Sequence, residues 1–213
     1  MNLPLHKPPF IGVAGNIGVG KSTFTGIVGK HFELEEYYES VIDNPYLEDF
    51  YVDMGRWSFN LQIYFLQHRF SGHIEIAKGS IGVIQDRTIY EDVEIFARNL
   101  HEMKFMSKRD WNTYCDLFNN MTRFLKKPDL IIYLQAKTNV LISRIQNRNR
   151  GFEQKIDAEY LHRLNLTYDK WIKGISDIPV LVIDTNEFNI FKDYGKLEDI
   201  FQQIEMKLSE SKK

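Results

Sequence analysis

The chain has 213 residues, a formal net charge of −2, 43% hydrophobic residues and 26% charged residues. Those proportions fit a single globular domain with one sizeable core, and they exclude a polybasic binder of nucleic acid or of membrane surfaces. Cys115 is the only cysteine, which rules out an internal disulfide and suits a reducing cytosol. No apolar run approaches the ~20 residues that span a bilayer, and the N-terminus lacks the apolar stretch of a secretory signal. The expectation is one cytoplasmic domain over residues 1–213, with no nucleic-acid polymer and no membrane among its partners.

In chain order, short apolar runs alternate with helical patterns. Phe10–Ala14 reads as a first buried strand, Tyr37–Ser40 as a weaker one, and Ile81–Ile84, Leu130–Leu134 and Val180–Ile183 as three more. Continuous apolar runs, unlike alternating ones, indicate strands covered on both faces, as in a parallel sheet. Helical periodicity covers Lys21–Phe32, Trp57–Lys78, Ile89–His101, Lys108–Leu125, Asn139–Asn147, Ala158–Lys173 and Leu197–Leu208. The series predicts a doubly wound α/β domain, a five-stranded parallel sheet with helices on both faces. In such folds, ligands sit at the carboxyl ends of the strands.

The first strand ends in Gly15-Asn16-Ile17-Gly18-Val19-Gly20-Lys21-Ser22-Thr23, which contains G-x-x-x-x-G-K-[ST], the P-loop. Its glycines let backbone N–H groups converge on phosphate oxygens, and the helix opening at Lys21 adds its positive end. Lys21 should reach the β- and γ-phosphates of ATP, and the Ser22 hydroxyl should ligate Mg²⁺. No D-x-x-G or N-K-x-D string occurs, which argues against a GTPase, and a motor ATPase is usually larger. A compact kinase of the P-loop fold fits best.

The third apolar run leads into Gln85-Asp86-Arg87-Thr88. A carboxylate after a buried strand can act on Mg²⁺, directly or through water, and Arg87 can offset charge on a transferred phosphoryl group. Thr88 and Glu91 form the T-x-x-E capping box that starts the next helix. A structural ion pair among these residues is the competing reading.

Glu39, at the end of the weak strand, can take the proton from an attacking hydroxyl. Taken alone it also reads as a surface acid. A neutral nucleoside tolerates its charge, whereas a nucleoside monophosphate is repelled by it. On the helix from Trp57, Gln62, Phe65, Leu66 and Arg69 fall on one stripe, polar at both ends, as a pocket for a flat hydrogen-bonding base requires. Asp92 and Phe96 repeat the pattern on the following helix. Arg144, Arg148 and Arg150 suit a movable segment that closes over phosphates, although a solvated basic helix end explains their spacing equally well.

Together these motifs resemble the deoxynucleoside kinases, the family of deoxycytidine, deoxyguanosine and deoxyadenosine kinases. The likeness rests on the P-loop, Glu39, Arg56-Trp57-Ser58-Phe59 with Gln62, Asp86-Arg87-Thr88 and Arg148-Asn149-Arg150, and runs from about Ile11 to Trp171. It implies ATP-dependent phosphorylation of a deoxynucleoside 5′-hydroxyl with Mg²⁺ as cofactor, in a homodimer. Residue by residue it implies Glu39 as base and Asp86 and Arg87 beside the metal and the reacting hydroxyl. Gln62, Arg69 and Asp92 would read the base, with Phe96 stacked on it. Tyr51 and Glu153 would hold the sugar 3′-hydroxyl, and Arg144, Arg148 and Arg150 would belong to a lid at about 144–156. Thr88 departs from the serine common in the family. The segment Glu39–Leu47, with Ser40 where animal members often have proline, resembles bacterial purine-preferring members. Deoxyadenosine is therefore favoured, with deoxyguanosine and deoxycytidine open. The rival expectations are a monophosphate kinase of thymidylate kinase type and a nucleotide-binding regulator without turnover.

Overall fold

The computed structural model describes residues 8–38, 44–148, 150–151, 153 and 156–210. Glu39 and Asn149, singled out in the sequence, lie outside these residues. The chain runs β1 (Phe10–Gly15), α1 (Lys21–Phe32), β2 (Glu35–Tyr37), α2 (Leu47–Val52), α3 (Met54–Lys78), β3 (Val83–Asp86) and α4 (Ile89–Glu91). A π-helical stretch (Asp92–Ala97) follows, then α5 (Arg98–Glu102), α6 (Lys108–Thr122), β4 (Leu130–Gln135), α7 (Thr138–Arg148), α8 (Ala158–Gly174), β5 (Val180–Asp184) and α9 (Tyr194–Glu210).

The five strands form one parallel sheet in the order β2-β3-β1-β4-β5. β1 sits in the middle, flanked by β3 and β4, so the loops after all three open on one edge of the sheet. Side chains alternate across a strand, and the core divides accordingly. Ile11, Val13, Leu130 and Ile132 pack with Phe24 and Val28 of α1 and Ile204 of α9. Ala14, Ile131 and Tyr133 pack on the other face with Leu66 of α3, Ile95 of the π-helical stretch and Leu164 and Tyr168 of α8. Both neighbours of every central-strand residue are therefore protein, which is why these strands read as unbroken apolar runs. Full burial of each large apolar side chain contributes about 1.5–3 kcal/mol.

The outer strands differ from expectation. β2 occupies Glu35–Tyr37, not Tyr37–Ser40, with Glu35 opposite Val83 and Tyr37 opposite Gln85. It is an edge strand, and its acidic residues hide it from a search for apolar runs. β3 begins at Val83 and continues through Gln85 and Asp86, both buried, whereas Ile81 is exposed and precedes it. Hydrophobicity pointed two residues too early because the carboxyl end of the strand is polar. α3 starts at Met54, where the Asp53 carboxylate accepts from Arg56 N at 2.9 Å and caps the first turn. The helix expected over Ile89–His101 is interrupted by the π-helical stretch, a feature often found at functional sites. None of the described helices is long and apolar enough to cross a membrane.

Candidate active site

The loop from β1 to α1 takes a shape that only glycine accommodates easily. Gly18 has φ +82°, and a Cβ there would lie 2.7 Å from Ile145 Cγ1 and 3.1 Å from Leu141 O on α7. The loop thus lies directly against α7, with no room for a side chain at this position. Asn16 serves as its anchor. Its Nδ2 donates to Leu161 O at 2.9 Å and Asn165 Oδ1 at 2.7 Å, and its Oδ1 accepts from Ile17 N at 2.8 Å. Gly15 is also committed internally, since its N–H faces Glu91 Oε1 at 3.3 Å.

A cleft with about 850 Å³ of empty space, mouth included, opens beside this loop. It gathers Ile17, Gly18, Lys21 and Ser22 with Asp86 and Arg87 from the end of β3, and with Gln62, Phe65 and Arg69 from α3. Asp92 and Phe96 of the π-helical stretch, Tyr51 of α2, and Arg148, Arg150 and Glu153 complete the polar lining. The sequence had named every one of these residues. Leu47, Phe50, Leu61 and Tyr160 supply further walls, which the sequence had not placed at a site.

The Ser22 hydroxyl donates to Asp86 Oδ2 at 2.5 Å, so the two groups expected at a cation are adjacent. The other carboxylate oxygen, Asp86 Oδ1, is buried without a hydrogen-bond partner among the described residues. A hydroxyl and a carboxylate with an unsatisfied oxygen are hard oxygen ligands and fit Mg²⁺. On α3, Gln62 Oε1 is likewise buried without a partner. Arg69 Nε lies 2.6 Å from Asp92 Oδ2 in a buried ion pair, and Arg69 Nη1 donates to Arg87 O at 3.3 Å. This pair fixes the carboxylate at the cleft wall.

Arg87 has left-handed backbone, φ +66°, unusual for a residue with a Cβ. Its guanidinium lies 4.3 Å from the centre of the Phe96 ring and donates from Nη1 to the Tyr168 hydroxyl at 2.8 Å. That hydroxyl is 2.7 Å from Glu91 Oε1 and 2.9 Å from Gly15 O. Burial holds the Tyr168 phenol far above its ordinary pKa, partly offset by Arg87 and reinforced by Glu91. Glu91 had been read only as a helix cap. It does accept from Thr88 N at 2.9 Å through Oε2, but its other oxygen belongs to this network. The signal missed was the tyrosine on α8, 77 residues away from Glu91.

Two expected groupings change. Arg144 does not join Arg148 and Arg150. Its guanidinium donates to Val19 O at 3.1 Å and Thr185 Oγ1 at 3.1 Å, and it lines a second cleft with Val19, Gly20, Thr23 and the Thr185–Phe191 segment. A four-residue step along α7 suffices to put Arg144 and Arg148 on different sides of the phosphate loop. Glu153, expected at a sugar hydroxyl, is paired with Arg148 and, at 3.5 Å, with Arg150. The second cleft was invisible to motif reading, although its position after β5 obeys the rule that ligands collect at strand carboxyl ends.

A model of the family described as deoxynucleoside kinase matches residues 11–209. The chain is 39% identical over 211 residues to a deoxyadenosine/deoxycytidine kinase of Bacillus subtilis (strain 168), covering 98% of this chain and 97% of that one. It is 44% identical over 179 residues to a deoxyadenosine kinase of Dictyostelium discoideum, covering 84% and 73%. A solved deoxyadenosine kinase from M. mycoides, described with the products dCMP and a flexible dCDP bound, superposes with a TM-score of 0.80 at 33% identity. That match covers 92% of this chain and 99% of that one.

Proposed function

Because the chain belongs to the deoxynucleoside kinase family, we propose that its main cleft takes a deoxynucleoside beside the phosphates of ATP and transfers the γ-phosphoryl group to the 5′-hydroxyl, with deoxyadenosine favoured and deoxycytidine accepted. The observation that carries the reading is the pair of buried, unsatisfied acceptors on one cleft, Gln62 Oε1 on α3 and Asp86 Oδ1 at the end of β3. An unmet buried acceptor costs about 1–3 kcal/mol, so each is a place where a ligand atom belongs. One suits the donor edge of a base, the other a cation.

Lys21 and the phosphate loop at the start of α1 bind the β- and γ-phosphates. Ser22 and Asp86 hold Mg²⁺, which when bound neutralises charge between the phosphates. Arg87 offsets charge on the group in flight. Glu39 is the proposed base for the 5′-hydroxyl. Tyr51 and Glu153 serve the sugar, Phe96 stacks on the base, and Arg148 and Arg150 close over the phosphates as a lid. The second cleft, with Arg144, Phe188 and Phe191, lies across the phosphate loop and suits the base of ATP. A cytoplasmic homodimer completes the proposal. Phe59, Ile63 and Tyr64, partly buried on the outer side of α3, offer a surface for the partner.

Base choice follows from the Arg69–Asp92 pair. A carboxylate at the cleft wall favours an exocyclic amino group and disfavours a carbonyl, and the bulk of Arg69 leaves little room for a methyl group. Thymidine should therefore be used poorly, by roughly ten- to hundredfold. The test is a coupled assay offering all four deoxynucleosides and their monophosphates to wild type and to Arg69→Met/Asp92→Ala. Both changes are needed together, since either alone strands a buried charge. The expected result is turnover of deoxyadenosine and deoxycytidine, none of monophosphates, and a raised thymidine-to-deoxyadenosine ratio in the double variant. Preference for thymidine, or an unchanged ratio, would overturn the base assignment; preference for monophosphates would overturn the acceptor assignment.

A further inference from the structure

Glu91 is a fully buried carboxylate that no step above requires. Holding an ion there costs several kcal/mol before its partners repay it, and apolar residues of similar volume often stabilise a fold as well. Capping α4 uses only Oε2. The oxygen facing the other way, Oε1, meets the Tyr168 hydroxyl, Gly15 N and, at 3.7 Å, Arg87 Nη1. Tyr168 is also fully buried, and its ring is stacked at 17° on Tyr133 of β4, which leaves its hydroxyl little freedom. The phenol has one proton. It accepts from Arg87 Nη1 at 2.8 Å and must give that proton to Glu91 Oε1 or to Gly15 O. Each choice aims a lone pair at the guanidinium.

Arg87 needs such an external fix. Its left-handed backbone removes it from both β3 and α4, so neither element's rotamer preferences direct the side chain. Contact with the Phe96 face restrains the guanidinium plane, whereas its rotation within that plane answers to hydrogen bonds, the shorter from Nη1 to the Tyr168 hydroxyl at 2.8 Å and a longer one from Nη2 to Gly15 O at 3.4 Å. We propose that Glu91 and Tyr168 are positioning residues, acting together to set the rotation of the Arg87 guanidinium and to tie it to the first glycine of the phosphate loop. The proposal rests on the reading of Arg87 as a group that meets the transferred phosphoryl. Its consequence is that acceptor and phosphate halves of the site are registered through one hydrogen-bond chain: α4 start, Glu91, Tyr168, Arg87 and Gly15.

The test is steady-state kinetics on Tyr168→Phe, Glu91→Gln, Arg87→Ala and Tyr168→Phe/Arg87→Ala in the full-length protein, with the unfolding midpoint of each. A misplaced catalytic group costs up to about a hundredfold, so Tyr168→Phe should lower kcat about ten- to hundredfold while both KM values move less than about threefold. With Arg87 already gone, removing the hydroxyl should lower kcat by less than about twofold further. Glu91→Gln should resemble Tyr168→Phe in its kcat and KM split. Should Arg87→Ala not fold, nitrogen-15 spectra of the guanidinium decide. The Arg87 Nη signals should be distinct in wild type and merge through free rotation in Tyr168→Phe. Losses that multiply in the double variant, or Nη signals unchanged by Tyr168→Phe, would overturn the proposal. So would wild-type kcat in Tyr168→Phe beside a lost kcat in Arg87→Ala, whereas wild-type kcat in Arg87→Ala would overturn the role given to Arg87 itself.

Discussion

The cations facing the main cleft fall into two sets that differ in how they are held. Lys21, Arg69 and Arg87 are 8%, 7% and 3% exposed, and each has a partner held by the fold, a loop carbonyl anchored through Asn16 for Lys21 and helix side chains for the two arginines. Arg148 and Arg150 keep 36% and 39% of their side chains exposed and share one carboxylate, Glu153. In the first set the low surrounding dielectric strengthens every interaction, and no rearrangement is needed when charge moves. In the second set the guanidinium ends are more than a third exposed, although the Glu153 carboxylate they share is buried, so water screens each pair from the cation side and a substrate anion can compete for the arginines. Under the proposed function, the difference suits Lys21 and Arg87 to stabilising the reacting group, Arg69 to fixing the wall that meets the base, and the exposed arginines to enclosure.

The largest effect should follow removal of a buried cation. Lys21→Ala is expected to lower kcat about a thousandfold while the circular dichroism spectrum stays that of wild type, since removing one preorganised donor costs about 10²–10³. Near-normal turnover of ATP would break the distinction at its strongest point. Arg148→Ala should do much less to turnover: KM for ATP rises about three- to tenfold and kcat falls no more than about tenfold, with Arg150 left as the remaining partner of the buried Glu153. A loss in Arg148→Ala as large as that in Lys21→Ala would show that exposure does not separate the two roles.

The groups at the ends of β1 and β3 were also the more legible ones in the sequence. Lys21, Ser22, Asp86 and Arg87 sit next to continuous apolar strands, and such strands announce both their position and the side on which ligands bind. The central strands and the phosphate loop were therefore readable to within a residue or two. The edge strand β2 was misplaced because none of Glu35, Glu36 and Tyr37 is buried, so neither face of it carries an apolar run. The split of Arg144 from Arg148 and the joining of Glu91 to Tyr168 depend on how helices rotate about their axes in three dimensions. Spacing along the chain fixes which residues share a helix face, but not which neighbour that face meets.

The same burial that strengthens the first set makes its scaffold sensitive to acid, and His73 is where this should be seen. His73 lies on α3, one turn beyond Arg69, with its Nε2 2.8 Å from Gln85 Oε1 on β3 and its ring edge-on to Phe10. Burial, aided by the Arg69 charge and opposed by the Gln85 hydrogen bond, lowers its pKa from 6.5 to about 4. The folded protein thus keeps the ring neutral where the unfolded chain protonates it. Stability from this group is complete above pH 6.5 and is lost as pH falls from there toward 4, by about 3 kcal/mol in all. His73→Gln retains a polar partner for Gln85 without the titration. Its turnover at pH 7.5 should match wild type within about twofold, since His73 does not line the cleft. Its urea midpoint should fall less steeply than that of wild type between pH 6.5 and 4.5. Equal slopes for the two proteins would mean that the α3–β3 contact behind the site admits a charged ring. Burial would then not suffice to fix protonation in this region.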